Sequence, residues 1–310
     1  MSIEDLYDQN KAGAWTPPTE EDTKLFQMKC KAGPTFSEAA PDLMRDTVVK
    51  DIMFWDITEK VLKEHGIPWK PQYQQYGTCV GQGAATAVDD LQCLHVHKEG
   101  LRFEGRAAVA GTYTGGRVEI AGRSGKWEGS NCTWSGQALV DVGIVFKKMV
   151  GLPEDDLAED EKLAMKWTAS RDGIPEQYET LANGFTVAQA TLCKTTEELA
   201  VALNNLCTAF QGSQLYASGK CDEYGISPLR SGGGHAQAIR GVVHISGRRY
   251  FAEQNSWGPN WAPGYKGQFR VPPGCVLLSE SDVQRQLNAR DCIVLSGPKG
   301  FVKQTIDFRV

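Results

Sequence analysis

The sequence lacks the long apolar run that a membrane-spanning helix requires. No uninterrupted hydrophobic stretch approaches the ~20 residues that cross a bilayer, so we expect no membrane partner. The chain is acidic from Glu4 onward and carries neither the basic start nor the apolar run of a secretory signal. We therefore expect a cytoplasmic protein, or one inside an intracellular particle, that is not secreted by the classical route.

The sequence also lacks any two cysteines spaced as CxxC. Its nine cysteines are odd in number and widely spread, which excludes the short ligand spacing of a structural zinc site. They are typical of buried thiols in a reducing compartment, and we expect no metal and no cofactor. The formal net charge of −5 disfavours nucleic acid as a partner, because phosphate binding requires a basic face.

The composition that remains is typical of a globular protein with a sizeable core. Of 310 residues, 41% are hydrophobic and 23% are charged, which allows one large domain or two lobes that share a cleft. A helix-rich part precedes a strand-rich part, which predicts an α+β fold. We predict helices over 48–63, 137–142, 159–167 and 280–287, and two more that start at Cys79 and at a cap formed by Thr195 or Thr196. We predict strands over 236–243, 250–254, 267–271 and 292–295. Residues 111–135 are predicted to form a loop.

Cys79 stands at the predicted start of a helix. It follows Gly-Thr and leads into Val-Gly-Gln-Gly-Ala-Ala-Thr-Ala-Val, whose small residues favour close packing. A thiol is an effective nucleophile only as thiolate, and both a helix N-terminus and an imidazolium lower its pKa. By itself, a cysteine beside glycine is more often a buried core residue than a nucleophile.

Two further polar residues stand in unusual surroundings. His235 lies in Ser-Gly-Gly-Gly-His-Ala-Gln-Ala-Ile, a glycine run that enters a predicted strand, and Asn255 directly precedes Ser-Trp-Gly. Taken alone, the first is typical of a strand-edge histidine and the second of an aromatic turn that packs. The three residues occur in the order Cys79, His235, Asn255. His235 follows Cys79 by 156 positions, and Asn255 follows His235 by 20.

These segments resemble the papain-like (C1-type) cysteine peptidases over roughly residues 66–271. The most specific match is Asn-Ser-Trp-Gly-Pro-Asn-Trp-Ala-Pro-Gly-Tyr, which starts at Asn255. The resemblance implies a two-lobed papain-like fold, with a helical lobe that carries the nucleophile helix and an antiparallel β-rich lobe that carries the histidine and asparagine. It also implies that Cys79 attacks a peptide bond to form a thioester, that His235 is its base, and that Asn255 orients the imidazole.

The chain departs from the family at the glutamine of the oxyanion hole. That glutamine stands six residues before the family's nucleophile, where this chain has Tyr73. We prefer Gln74 for the role, with Gln72 and Gln75 as rivals. The choice matters because losing one oxyanion donor costs about 10²–10³ in rate.

The predicted substrate groove is less regular. The stretch from Asn131 to Trp134 resembles the family's groove segment, but Ser130 and Asn131 replace its paired glycines. The resemblance implies substrate contacts at these three residues, and at Gly234 and Trp257 beside the histidine and asparagine.

We divide the chain into an N-terminal arm (1–65), a papain-like peptidase domain (66–271) and a C-terminal extension packed on that domain (272–310). The arm matches no inhibitory propeptide pattern, and either fills the cleft or attaches the protein to an assembly. We expect a polypeptide or peptide-like substrate. The competing functions are a catalytically silent structural or binding module, for example in a virus-like particle or virion, and cleavage of peptidoglycan amides or isopeptides.

Overall fold

The computed structural model describes residues 14–29, 34–45, 48–125 and 129–302. The α-helices of this part are α1 (Glu20–Lys29), α2 (Phe36–Ala39), α3 (Phe54–Glu64), α4 (Cys79–Glu99), α5 (Val109–Thr114), α6 (Cys132–Asp141), α7 (Ala158–Ala169), α8 (Glu176–Ala182), α9 (Thr196–Asn204) and α10 (Glu280–Leu287). Its strands are β1 (Ile52–Met53), β2 (Thr186–Leu192), β3 (Thr208–Ala217), β4 (Leu229–Ile245), β5 (Arg248–Gln254), β6 (Tyr265–Lys266), β7 (Arg270–Val271), β8 (Cys275–Ser279) and β9 (Cys292–Lys299). Short 3₁₀ turns and one π-helical segment (Gly115–Ile120) complete the helical structure.

One antiparallel sheet of seven strands organises the second half of the chain. Its order is β2-β9-β3-β4-β5-β8, and β1 pairs with the far end of β4. The long strand β4 pairs with β3 on one side and β5 on the other, with Ser213 opposite His235 and Gln254 opposite Ala238. The sheet therefore holds His235 and the residue that follows β5, Asn255, on adjacent strands.

The apolar core has two main parts. One is formed by α4 with α5, α6 and their loops, and includes Tyr113, Leu139 and Phe146. The other lies between α9, α10 and the sheet, and includes Leu199 and Phe251. Helix α4 contacts β3 and β4 directly. This arrangement confirms the predicted α+β class.

Several predicted elements are confirmed by the structure. Helix α4 begins at Cys79, α10 covers the predicted 280–287, and α7 covers the predicted 159–167 with one or two residues added at each end. Thr195 caps α9 through its side chain, which accepts from the Glu198 N–H, and the Glu198 carboxylate accepts from the Thr195 N–H in return. Local capping chemistry thus identified this helix start correctly.

Other expectations were wrong. The helix predicted over 48–63 begins only at Phe54, because Ile52 and Met53 pair with β4 as strand β1. The predicted loop over 111–135 contains most of α5, the π-helical segment and the start of α6. Its glycines and threonines are weak helix formers, but their burial against neighbouring helices overrides that preference. Helices α1, α2 and α8 and strands β2, β3 and β8 were not predicted.

Residues of the predicted C-terminal extension contribute to the sheet itself. β8 forms one edge, and β9 lies between β2 and β3. The boundaries at 65 and 271 remain predictions. Within the described residues, no helix has the length and apolar character to cross a membrane.

Candidate active site

Cys79 is the first residue of α4 and is fully buried. The preceding residue, Thr78, starts the helical hydrogen bonds, since its carbonyl accepts from the Gln82 N–H at 3.0 Å. The backbone N–H groups of Val80 and Ala236 point to the Cys79 thiol. Because Ala236 directly follows His235 on β4, the thiol faces the part of β4 that carries His235.

His235 and Asn255 form a direct hydrogen bond. The distance between His235 Nε2 and Asn255 Oδ1 is 2.8 Å, and the same oxygen accepts from the Ser256 N–H at 2.6 Å. An amide oxygen only accepts, so the neutral imidazole carries its proton on Nε2 and leaves a lone pair on Nδ1. His235 Nδ1 is buried and has no hydrogen-bond partner among the described residues. It is therefore free to take a proton.

Aromatic side chains enclose the imidazole. Trp257 stacks on His235 with ring centroids 4.4 Å apart and an interplanar angle of 27°, and Tyr216 meets it edge-on at 5.8 Å. A Trp face next to an imidazolium favours the charged form electrostatically and keeps water from the bond to Asn255. The ring of Trp257 is in turn held by Trp261 at 6.0 Å.

Burial controls the protonation of the two reactive groups in this arrangement. It raises the pKa of the Cys79 thiol to about 12, against the smaller opposite effect of the nearby backbone N–H groups. It lowers the pKa of His235 to about 4, against the opposite effect of the bond to Asn255. Near pH 7 the Cys79 thiol and the His235 imidazole are therefore both neutral.

The glutamine loop is bound to the segment that follows Asn255. The Gln74 N–H donates to Ser256 O at 2.7 Å, and the Gly258 N–H donates to Gln72 O at 2.8 Å. The buried Gln74 side chain accepts from the Ser256 hydroxyl and donates from Nε2 to Tyr76 O at 3.0 Å.

The two rival glutamines face elsewhere. Gln72 Nε2 lies 3.5 Å from Thr86 Oγ1 on α4, and the Gln75 side chain is exposed. Of the three, Gln74 is the one whose amide lies against the residue next to Asn255.

Glu161 on α7 holds the same loop through hydrogen bonds to its backbone and to Thr78. Its carboxylate accepts from the backbone N–H groups of Gln75 at 2.6 Å and Tyr76 at 3.3 Å, and from the Thr78 hydroxyl. Burial raises the pKa of this carboxyl, and these hydrogen bonds oppose the shift. A single acidic side chain thus fixes the chain between the glutamine and Cys79.

The N-terminal segment 14–16 occupies the predicted groove. The Thr16 N–H donates to Ser130 O at 2.9 Å, and the Ser130 N–H donates to Ala14 O at 3.0 Å. On the opposite side, the Trp15 N–H donates to Gly234 O at 3.3 Å. The described arm therefore lies across the site, between two of the residues predicted to bind substrate.

The side chains of Asn131 and Trp134, both predicted to bind substrate, bind to other residues of the chain. Asn131 caps α6, because its Oδ1 accepts from the Trp134 N–H at 2.9 Å. Trp134 Nε1 donates to Asp22 of α1 at 2.9 Å, and Arg123 lies over its ring.

Sequence reasoning missed three residues of the site: Glu161, Trp15 and Asp291. Asp291 is buried and accepts from Trp15 Nε1 at 2.6 Å. None of the three lies in a recognisable motif, and each acts on a partner far away along the chain. Within 14–29, 34–45, 48–125 and 129–302, no group of three or more His, Cys, Asp and Glu side chains is arranged to hold a metal ion.

A helix that begins at a buried cysteine and packs on an antiparallel sheet bearing a His–Asn pair defines the papain-like fold. Comparison with solved structures confirms this fold over nearly the whole chain. Xylellain, a cysteine protease from Xylella fastidiosa, is 15% identical, with a TM-score of 0.58 over 93% of this chain and 96% of that chain.

Two further solved structures have the same fold. The Amb a 11 cysteine protease of ragweed pollen, in its proform, is 13% identical, with a TM-score of 0.53 over 98% of this chain and 77% of that chain. A structure from work on the mite allergens Blo t 1 and Der p 1 is 11% identical, with a TM-score of 0.51 over 95% of this chain and 82% of that chain. No family model matches the sequence, and no curated protein matches it either.

Proposed function

We propose that this chain is a cysteine peptidase that hydrolyses peptide bonds through Cys79, His235 and Asn255. The observation that carries the proposal is the 2.8 Å bond from His235 Nε2 to Asn255 Oδ1, which leaves Nδ1 as the only basic nitrogen of the ring. His235 directly precedes Ala236 on β4, and the Ala236 N–H points to the Cys79 thiol. The set supplies a nucleophile, a base and an orienting group in one buried place.

The first chemical step forms a thioester. His235 Nδ1 takes the proton of the Cys79 thiol, and the sulfur attacks the carbonyl carbon of the peptide bond. The carbonyl oxygen becomes an oxyanion, which accepts from the Cys79 N–H and the Gln74 side-chain amide. As the C–N bond breaks, the imidazolium returns its proton to the leaving amine.

The second step releases the acyl group. The neutral His235 takes a proton from a water molecule, whose oxygen attacks the thioester carbon through a second oxyanion. The C–S bond then breaks, the thiolate recovers a proton from the imidazolium, and a carboxylic acid leaves. Asn255 holds the imidazole in the same orientation in both steps, since its oxygen accepts the Nε2 proton throughout.

In the structure, the proposed site is closed to a peptide substrate. Gln74 Nε2 donates to Tyr76 O, so the amide must turn to reach an oxyanion. Segment 14–16 lies between Ser130 and Gly234, so a peptide must displace it to reach Cys79. The burial that raises the pKa of Cys79 and lowers that of His235 is the burial of this closed state.

Labelling of Cys79 with a thiol-reactive epoxide tests the proposal directly. We expect a mass shift that maps to Cys79, and we expect Cys79→Ala to abolish peptide cleavage while leaving thermal stability nearly unchanged. Cys221 provides the matched control, because it is the described cysteine that is only partly buried. Cys221→Ala should keep both labelling of Cys79 and cleavage.

The competing function is a catalytically silent binding module. The full burial of Cys79 and the 1% exposure of His235 are what favour it. Labelling of Cys221 alone, together with no peptide cleavage by the parent chain, would contradict the peptidase and leave the binding module as the better account. Peptide cleavage that persists in Cys79→Ala would contradict the role of Cys79 as nucleophile.

A further inference from the structure

Trp15 lies in a buried slot beside His235. Its side chain is only 3% exposed, although Pro17 is already exposed. Its backbone N–H bonds to Gly234 O, and Gly234 directly precedes His235. The slot is therefore one residue away from the proposed base.

Two glycines form the walls of the slot. A Cβ atom at Gly212 would lie 2.0 Å from Nε1 of Trp15, and one at Gly234 would lie 2.2 Å from its carbonyl oxygen and 2.8 Å from Cε3 of its ring. Gly212 is on β3 opposite Ala236 of β4, so the indole lies on the backbone of both strands. The missing side chains leave a flat space in which a bicyclic ring fits.

Asp291 closes the inner end of the slot with a carboxylate. Oδ2 accepts from Trp15 Nε1 at 2.6 Å and from the Cys132 N–H at 2.8 Å. Oδ1 accepts from the Thr133 N–H at 2.9 Å and from the Thr133 hydroxyl at 2.7 Å. The start of α6 thus holds the carboxylate independently of the arm, so the acceptor stays in place when Trp15 leaves.

We infer that this slot is the side-chain pocket for the peptide substrate, that it takes a tryptophan side chain, and that Trp15 occupies it as a tethered competitor. The inference rests on the proposed peptidase function and specifies its substrate class. Gly212, Gly234 and Asp291 set the specificity, and Trp15 shows which side chain fits them.

The pocket favours indole over other large side chains for two physical reasons. Phenylalanine or leucine fills the space but leaves Asp291 Oδ2 with the Cys132 N–H alone, and losing one donor to a buried carboxylate oxygen is costly. Arginine or lysine gives a donor, but the N-terminus of α6 already compensates the negative charge of Asp291. A neutral ring with one N–H at its edge satisfies both the shape and the single open acceptor position.

The tether explains why the closed state is populated. Because Trp15 belongs to the same chain as the slot, its effective concentration there is in the millimolar range. A short peptide must overcome this local concentration before it reaches the pocket. Removing the indole therefore increases the apparent affinity for substrate more than it changes the chemical step.

The first experiment measures cleavage of short peptides by the full chain and its Trp15 variants. We expect Trp15→Ala to raise kcat/KM at least about tenfold through a lower KM, since the tethered competitor is removed. Trp15→Phe keeps a ring but removes the N–H donor to Asp291, so we expect an intermediate increase. It also serves if Trp15→Ala fails to fold.

The second experiment measures specificity in the Trp15→Ala chain. Internally quenched peptides carry tryptophan, phenylalanine, leucine or arginine in turn at each position. We expect one position at which tryptophan exceeds phenylalanine by about tenfold to a hundredfold, the effect of one hydrogen bond to a charged acceptor. Adding Gly212→Ala should abolish this preference, whereas Gly267→Ala should keep it, because a Cβ at Gly267 meets nothing within 4 Å.

The outcomes separate this inference from the proposed function. Cleavage that is equal for all four side chains, or that favours arginine, or an unchanged KM in both Trp15 variants, overturns the inference and leaves the peptidase intact. If no variant cleaves or is labelled at Cys79, the proposed function fails. Calorimetry then decides the pocket by itself: N-acetyl-tryptophanamide must bind Trp15→Ala at least tenfold more tightly than N-acetyl-phenylalaninamide, and absence of binding overturns the inference.

Discussion

The carboxylate of Glu161 accepts the backbone N–H of Gln75 at 2.6 Å, and this contact ties a helix outside the motifs to the loop that carries the oxyanion glutamine. The same carboxylate accepts from Tyr76 and Thr78, the residues that lead to Cys79. Glu161 therefore sets where Gln74 and the Cys79 N–H lie relative to each other. It is a positioning residue, because it acts through the loop.

We predict that Glu161→Gln lowers kcat by about tenfold to a hundredfold and changes KM little. The side-chain amide nitrogen that this substitution introduces would face an N–H donor where the carboxylate accepted, so the loop must shift and the oxyanion donors with it. Steady-state kinetics on one peptide, together with the unfolding free energy, checks this. Glu159→Gln on the same helix is the control, because the Glu159 side chain is exposed and pairs with the exposed Lys162. A loss confined to KM would contradict the positioning role.

Removal of the Asn255 side chain should impair catalysis by releasing the imidazole. We expect Asn255→Ala to lower kcat/KM by about a hundredfold, since the ring loses the acceptor that fixes its proton on Nε2. The bond to Asn255 raises the pKa of His235, so its loss should lower that pKa further. NMR titration of His235 in both chains measures the shift. An unchanged or higher titration midpoint in the variant would contradict the prediction.

Local patterns carried the part of the site that was predictable from sequence. Asn255-Ser-Trp-Gly and the small residues after Cys79 are contiguous in the chain, so residue type and spacing encode their geometry directly. The capping box of Thr195 and Glu198 is equally local. Papain-like architecture followed from these segments, and comparison with solved structures confirmed the fold.

The parts that were missed depend on contacts between distant residues. Glu161 lies 86 positions from Gln75, and Trp15 lies 276 positions from Asp291. No spacing rule links such residues, because tertiary folding alone brings them together. Strand β3 was missed for a related reason: it is buried on both faces over most of its length and shows no polar alternation.

His235 should make the folded state less stable in mild acid. Its pKa is 6.5 in an ordinary setting and about 4 when buried, so between these values the unfolded chain binds a proton that the folded chain does not. Stability is then lost as the pH falls from about 6.5 to about 4, by about 3 kcal/mol in total. Denaturant unfolding of the parent and His235→Gln across this range measures the difference.

The His235→Gln curve should be flatter than the parent curve below pH 6.5, because the variant lacks the titrating group. His97→Gln is the control for losing a histidine, since His97 is exposed near the end of α4. Its curve should run parallel to that of the parent. Parallel curves for His235→Gln and the parent would mean that the imidazole is not protected from protonation by burial.

Glu253 should produce the opposite dependence at higher pH. It is buried on β5, where its Oε1 accepts from Gln211 Nε2 at 2.6 Å, and burial raises its pKa from 4.5 to about 8. Between these values the folded chain holds a proton that the unfolded chain has released, so stability is lost as the pH rises from about 4.5 to about 8. The full loss is up to about 5 kcal/mol.

Glu253→Gln should remove this loss, because a glutamine is neutral at every pH and keeps the acceptor for Gln211. We expect the variant and the parent to differ least near pH 5, and the variant to be increasingly more stable toward pH 8 and above. Unfolding free energies from denaturant titrations at about pH 5, 7 and 8.5 measure the trend. The exposed Glu223→Gln provides the matched control and should follow the parent. A difference in unfolding free energy between Glu253→Gln and the parent that stays constant with pH would show that Glu253 is already ionised in the folded state. A buried ionised carboxylate requires a compensating donor at Oε2. Oε2 has no hydrogen-bond partner among the described residues.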